Sequence, residues 1–271
     1  MWPHARKLRK IIRFGALWAM LAIPMPAAED EAQDPSVNQP GAQSSYAGEL
    51  RMKRFPAVLG RNLTANLFSP GNLFPFLIGV TGALVIAPTD QEISQSIRDH
   101  AHELGDTGKV AGMFVPASLA GGALLISRLT GKGHFRSFGY TLAQAYATNV
   151  ILTQGLKYAT HRMRPDGSSS NSFPSGHTSD NFAMAAVVSE YYGKKWGLPL
   201  YAFAGLVGVS RIEKGRHWPS DIVAGATLGY LAGKSAILGT RRELAGGKIT
   251  RLMFHPVYGQ DLRGLSACLR F

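Results

Sequence analysis

Two stretches of this chain run without a charged residue for 18 and 20 positions, between Lys109 and Arg128 and between Arg136 and Lys157. Runs of that length are too long for one strand, which uses about 4–8 residues, and they fit helices buried on most sides. Similar apolar segments recur at 73–87, 178–192, 198–210 and 221–237, with short polar clusters between them. The expected fold is all-α, an antiparallel bundle of about six core helices over residues 71–240. Pro88 is expected to end the first helix. T-D-Q-E from Thr89 to Glu92 reads as a capping box opening an amphipathic helix, with Ile93, Ile97, Ala101 and Leu104 on one face. D-H-A-H-E at 99–103 reads as the solvated side of that helix rather than a metal site, because His100 and His102 point in different directions.

The two ends of the chain differ from the middle. Residues 1–28 begin with Arg6, Lys7, Arg9, Lys10 and Arg13, then continue as a short, Pro-interrupted apolar run that closes on small residues. That is the layout of a secretory signal, and it is too short for a comfortable membrane span. Residues 29–70 open with a Pro-, Gly-, Ser- and Gln-rich stretch without apolar period and read as a flexible linker. In the tail, 241–271, I-T-R-L-M-F-H-P-V-Y and L-S-A-C-L-R-F alternate around G-Q-D, the pattern of a short β-hairpin. Cys268 is the single cysteine, which excludes an internal disulfide and a cysteine-based metal cluster. The formal charge of +12 falls by five without the signal and stays basic, as suits an anionic substrate or membrane surface. Basic–aromatic interleaving of the kind that binds nucleic acid is absent, so no nucleic-acid partner is expected.

Three polar clusters interrupt the apolar pattern. Lys157 closes one helix and leads to Arg164-Pro165. P-S-G-H at 174–177 opens the next. S-R-I-E-K-G-R-H-W-P-S-D at 210–221 joins the last two. In an antiparallel bundle all three lie at one end, while G-K-K-W-G-L-P at 193–199 lies at the other. Lys157, Arg164 and Arg211 would then surround one spot with positive charge. Ser175 and Gly176, at a helix N-terminus, add backbone N–H groups and a favourable dipole for an anion. His177 and His217 face that anion from different loops, and Asp221 follows His217 by one helical turn. An aspartate bonded to Nδ1–H would leave Nε2 of His217 free to attack phosphorus, with His177 serving as acid and then base. The cations take the part a metal would play, and the chain has no carboxylate cluster to hold one. No metal and no cofactor are expected.

K-x6-R-P at 157–165, P-S-G-H at 174–177 and S-R-x5-H-x3-D at 210–221 resemble the three-part signature of the type 2 phosphatidic acid phosphatase (PAP2) superfamily. That superfamily also includes bacterial non-specific acid phosphatases and vanadium haloperoxidases. The resemblance implies an all-helical core and hydrolysis of phosphomonoesters or pyrophosphates through a phosphohistidine. Lipid phosphates such as phosphatidic acid or polyprenyl pyrophosphate are among the substrates it implies. It places phosphate on Lys157, Arg164, Ser175, Gly176 and Arg211. His161 and Arg162 lie outside the signature and read as local surface charge. Two other readings stand beside the phosphatase. One is a vanadate-dependent haloperoxidase with His217 as the vanadate ligand. The other is a non-catalytic phosphate- or lipid-binding protein, against which the presence of both histidines and Asp221 speaks.

Location has two readings. Arg128, Lys132, Arg136, Lys194, Lys195, Arg241 and Arg242 collect at the end opposite the clusters, which fits an integral membrane bundle with its site facing outward. An export signal would instead leave the first core helix entering from the wrong side. Gln144, Asn149, Asp180 and Glu190 within the helices also sit poorly in lipid. The expectation is an exported periplasmic bundle, soluble or in peripheral contact with a membrane.

Overall fold

The computed structural model describes residue 50 and residues 52–100, 107–245, 251–258 and 263–270. The signal at 1–28, the linker as far as residue 49 and most of D-H-A-H-E lie outside them. Eight α-helices follow in the described residues: α1 (Phe55–Arg61), α2 (Pro70–Ile86), α3 (Asp90–His100), α4 (Thr107–Thr130), α5 (Gly133–Thr160), α6 (Gly176–Tyr192), α7 (Lys194–Glu213) and α8 (Pro219–Leu244). Pro70 and Pro219 stand in the first turns of α2 and α8, where a missing N–H costs nothing. α5 stops where His161 adopts a left-handed φ of 45°, and α6 stops at Gly193, φ 84°. In the tail, strands β1 (Arg251–Tyr258) and β2 (Arg263–Arg270) pair antiparallel, Arg251 opposite Arg270 and Tyr258 opposite Arg263.

One expectation is met and one needs correction. α2 ends ahead of Pro88, at Ile86, and a 3-10 turn (Ala87–Thr89) then leads directly into α3, with the Thr89 hydroxyl donating back to the Ile86 carbonyl. A proline costs little in the first turn of a new helix. The linker, however, does not extend to residue 70. α1 and the π-turn Asn62–Asn66 are docked on the bundle, with Val58, Asn62 and Asn66 fully buried. Side-chain amides hold them there. Asn62 donates to Gln144 (3.2 Å), Asn66 to Asn62 (2.7 Å), and Gln144 to the Phe55 carbonyl (2.9 Å). Asn72 adds bonds to the Asn66 carbonyl and to Ser235. At the same end, the buried Glu243 receives Arg54 and Arg61. A segment chosen by polar partners rather than by apolar period is invisible to a periodicity search.

α6 is the centre of the bundle and packs against α4, α5, α7 and α8. Thr178, Phe182, Ala183, Met184, Ala185, Ala186 and Val187 are buried around its whole circumference, as a helix without a polar face must be. α8 meets it along Gly225, Gly229 and Gly233, four residues apart and so on one stripe. A Cβ at Gly229 would lie 2.0 Å from the Ser179 carbonyl oxygen, and one at Gly225 would lie 2.6 Å from that of Ser175. Backbone-to-backbone contact therefore sets where the start of α6 stands over the start of α8.

The outer surface is apolar on two helices. Along α2, Leu73, Phe74, Leu77, Val80, Leu84 and Val85 are exposed, Leu84 by 69%. On α4 the same holds for Val115, Leu119, Leu125, Ile126 and Leu129. Exposed apolar side chains gathered on a helix face mark surfaces that meet an apolar partner or a membrane. Pro70–Asp99 and Pro219–Leu244 are long and apolar enough to cross a membrane. Only 28% of the first stretch's most apolar window is buried against 78% of the second's, so α8 is a core helix and α2 an outer one. Of the polar residues that argued against lipid, Gln144 and Asn149 are fully buried and Asn149 donates to Asp180, whereas Glu190 stays partly exposed beside the exposed Arg241. The objection is removed for the first three and stands for Glu190.

Substituting Gly229→Ala should cost about 1–3 kcal/mol, since the contact at risk is backbone and cannot yield without moving a helix. A thermal midpoint lower than wild type by several degrees, with Gly121→Ala (open space around it) unaffected, is the outcome expected from a melting series.

Candidate active site

The site forms where α5, α7 and α3 end or begin against the starts of α6 and α8. After α7, Gly215 takes φ 65° and lets the chain fold back, so that both Arg216 N–H and His217 N–H donate to the Arg211 carbonyl, at 3.0 and 3.3 Å. The loop after α5 is tied down in turn. Ser172 N–H donates to the Arg162 carbonyl (2.9 Å), Arg164 N–H to that of Ser169 (3.0 Å), and Asp166 N–H to that of Gly215 (3.0 Å). Lys157 Nζ donates to the carbonyls of Asn171 and Pro174, both at 2.7 Å. Ser175 N–H donates to the Asp221 carbonyl (3.0 Å), which stitches the start of α6 to that of α8.

These ties bring the expected groups together. The His177 ring lies within electrostatic reach of Arg211, His217, Lys157 and Arg164. Burial and those charges pull its pKa from the ordinary 6.5 down to about 4. Its Nε2 is buried without a hydrogen-bond partner among the described residues. Burial likewise lowers the pKa of His217, so the ring is neutral near pH 7, and it lowers that of Lys157 to about 8. The space over the Gly176 Cα is open: a Cβ there would touch nothing.

Three placements differ from expectation. His217 Nδ1 lies 2.6 Å from the Ser172 carbonyl oxygen and 3.8 Å from Asp221 Oδ2. A carbonyl only accepts, so Nδ1 carries the proton and Nε2 the lone pair; the tautomer is the expected one, but Ser172 fixes it. The nearest Asp221 oxygen is too far for a hydrogen bond and acts through its charge. Ser175 stands at the N-cap of α6 without capping it: its hydroxyl bonds that of Thr178 (2.9 Å) and its N–H is already taken, leaving the Gly176 end of the helix for an anion. Arg162 is not surface charge. Its Nη1 donates to Asp221 Oδ1 and Ser220 Oγ, both at 2.7 Å, and its Nη2 to Asp90 Oδ2 at 2.6 Å.

Asp90, Arg162, Ser172 and Ser220 are the polar residues that sequence reasoning missed. Asp90 occupies the first turn of α3, where an acid is common anyway. Ser172 is one of five serines between 168 and 175. Arg162, two positions before Arg164, carried the one usable signal, a second arginine in R-M-R-P. Among the described residues no group of three His, Cys, Asp or Glu side chains comes together as a metal ligand set.

The PAP2 superfamily model matches residues 138–243. Over 110 residues the chain is 39% identical to a lipid A 1-phosphatase of Porphyromonas gingivalis, a match that takes in 38% of this chain and 24% of that protein. Over 108 residues it is 32% identical to phosphatidylglycerophosphatase B of Bacillus subtilis, with 34% of this chain and 53% of that protein covered. The chain thus spans from a quarter to about half the length of these relatives. A solved structure of a transmembrane PAP2 type phosphatidylglycerolphosphate phosphatase from Bacillus subtilis aligns at 22% identity with a TM-score of 0.47, covering 66% of this chain and 98% of that one.

The lowered histidines set a stability expectation. Because the folded His177 holds its proton only below about 4, the unfolded chain binds more protons between 6.5 and that value. Stability is therefore full above pH 6.5 and is lost as pH falls through that window. Unfolding midpoints between pH 7 and 4 should decline, His177→Asn should flatten the decline, and millimolar inorganic phosphate should raise the wild-type midpoint.

Proposed function

We propose that this chain is a phosphatase that removes phosphate from a lipid phosphomonoester or pyrophosphate through a phosphohistidine on His217. The observation that carries the reading is the pairing of two neutral imidazoles with three cations at one spot, one ring locked with its lone pair on Nε2. Lys157, Arg164 and Arg211 hold the phosphoryl oxygens, with the Gly176 end of α6 adding its dipole. His217 Nε2 attacks phosphorus in line; the N–P bond forms as the P–O bond to the organic group breaks. The departing oxygen takes a proton from His177. His177 then removes a proton from water, the water oxygen attacks phosphorus, and the N–P bond breaks to release inorganic phosphate. Spread over the equatorial oxygens, the developing charge meets fixed cations that need no reorganisation.

The general acid must carry a proton that free His177 does not hold at neutral pH. The substrate supplies part of the remedy: burial depresses the ring most, and a bound phosphate anion offsets the Arg211, Lys157 and Arg164 charges that depress it further. Protonation of the acid is thus coupled to occupancy.

A lipid substrate is supported by the apolar outer faces of α2 and α4, which would lie among acyl chains with the site at the bundle's end beyond them. The lipid A 1-phosphatase and phosphatidylglycerophosphatase B relatives point to the same substrate class. The end opposite the site carries Arg128, Lys132, Arg136, Lys194, Lys195, Arg241 and Arg242. By the excess of Lys and Arg on cytoplasmic faces, that end would face the cytoplasm and the site outward.

Acid quench of purified protein with phosphate-labelled phosphatidic acid, beside p-nitrophenyl phosphate, tests the reading. Acid-labile, base-stable label on the wild type is expected, absent from His217→Ala, whose turnover should drop at least about 1000-fold. Absence of both label and phosphate release from either substrate would overturn it. The coupling to occupancy has its own signature: the alkaline limb of kcat should lie at higher pH than that of kcat/KM, since the first reports the complex and the second the free enzyme.

A further inference from the structure

We propose that Arg162, held by Asp90, is a positioning residue that orients His217 through both of its supports; the inference rests on the phosphatase reading. One support is Asp221. Its Oδ1 accepts from Arg162 Nη1 at 2.7 Å, while Oδ2 accepts from the Ser172 hydroxyl and the Trp218 N–H and is the oxygen 3.8 Å from His217 Nδ1. With Oδ1 engaged, the carboxylate cannot rotate away from the ring. The other support is the Ser172 carbonyl, 2.6 Å from Nδ1, on a residue whose own N–H donates to the Arg162 carbonyl at 2.9 Å. Arg162 thus fixes Asp221 with its side chain and Ser172 with its backbone.

Asp90 makes the arrangement specific to this chain's N-terminal half. Its Oδ2 takes Arg162 Nη2 at 2.6 Å and the Ser220 hydroxyl at 2.6 Å, and its Oδ1 takes the Ser220 N–H at 2.8 Å. Ser220 precedes Asp221, so Asp90 grips both the arginine and the start of α8. Asp90 lies on α3, outside residues 138–243 that match the superfamily. Both carboxylates are nearly or fully buried, and the guanidinium between them is 31% exposed. Removing either end of such a buried pair leaves the other charge uncompensated. A surface charge of the kind the sequence suggested would make none of these contacts.

The test uses the full-length protein in detergent with phosphatidic acid in mixed micelles, comparing Arg162→Gln, Arg162→Lys, Asp90→Asn and the double variant D90N/R162Q. Arg162→Gln should lower kcat about 100-fold with KM within about threefold, since misorientation acts on the chemical step. Arg162→Lys should recover part of the loss. D90N alone should cost about tenfold in kcat and almost nothing further when added to R162Q, the non-additivity of groups acting as one unit. Inhibition by inorganic phosphate should stay unchanged throughout, showing the cation cradle intact. A rise in KM at unchanged kcat, additive effects of the two substitutions, or a folded D90N with wild-type kcat would each overturn the proposal. The last of these decides the matter even if R162Q does not fold. A wild-type protein that releases no phosphate would overturn the phosphatase reading itself, before any variant is compared.

Discussion

A fully buried carboxylate, Asp221, is the constraint around which the candidate-site end of this bundle is arranged. An ion that deep in a protein costs several kcal/mol unless its lone pairs are occupied. Here they receive a guanidinium nitrogen, a hydroxyl and a backbone N–H, and the carboxylate sits in the first turn of α8, where the helix dipole favours negative charge. The donors come from two separate segments: Arg162 and Ser172 from the loop after α5, Trp218 from the turn before α8. Satisfying one carboxylate therefore fixes the loop that carries Arg164 and the turn that carries His217. The Asp221 carbonyl extends the same logic to α6 by accepting the Ser175 N–H. Stability and reactivity share these bonds.

That local order needs helices held at a defined separation, which the glycine stripe of α8 supplies. Gly225 and Gly229 let the α6 backbone approach until carbonyl oxygens occupy the space side chains would take. Close approach suits a bundle whose outer face is apolar, because surroundings as apolar as leucine give little drive to bury more leucine. The buried amides Asn62, Asn66, Asn72 and Gln144 serve the same end. Their bonds are directional, so they specify how the N-terminal segment docks where apolar contact alone would let it slide.

Legibility in the sequence followed the kind of interaction. The core helices were readable because charge-free runs such as 137–156 have one good solution. The convergence of Lys157, Arg164, His177, Arg211 and His217 was readable because antiparallel helices alternate ends. What stayed hidden was polar and long-range. Asp90 is 72 residues from Arg162 in the chain, and nothing in its neighbourhood distinguishes it from an ordinary first-turn acid. Ser172 acts through its carbonyl, a group every residue has. Spacing brings Asp221 close to His217, yet its link to Nδ1 reads from the sequence as a hydrogen bond because spacing one turn apart gives proximity without giving the angle. The docking of Met52–Asn66 escaped for the same reason as Asp90.

The course of α2 bears on how the chain meets a membrane. The helix starts beside Ser235, in the half of α8 away from the site, and its end leads through Ala87–Thr89 to Asp90, within the site. Met52–Asn66 therefore lies at the basic end, with Arg54 and Arg61 on Glu243. If that end is cytoplasmic and the site faces outward, the chain at residue 52 is cytoplasmic too. An export signal at 1–28 would have delivered residue 30 to the other side. A cleaved export signal and a membrane-inserted bundle with an outward site are thus alternatives, not companions. The exported soluble bundle keeps the signal but leaves Phe74, Leu77, Leu84, Leu125 and Leu129 in water, at a cost of about 25 cal/mol for each Å² of apolar surface. The inserted bundle gives those side chains an apolar solvent and turns every buried amide inward. The second solution is the one the outer faces of α2 and α4 favour.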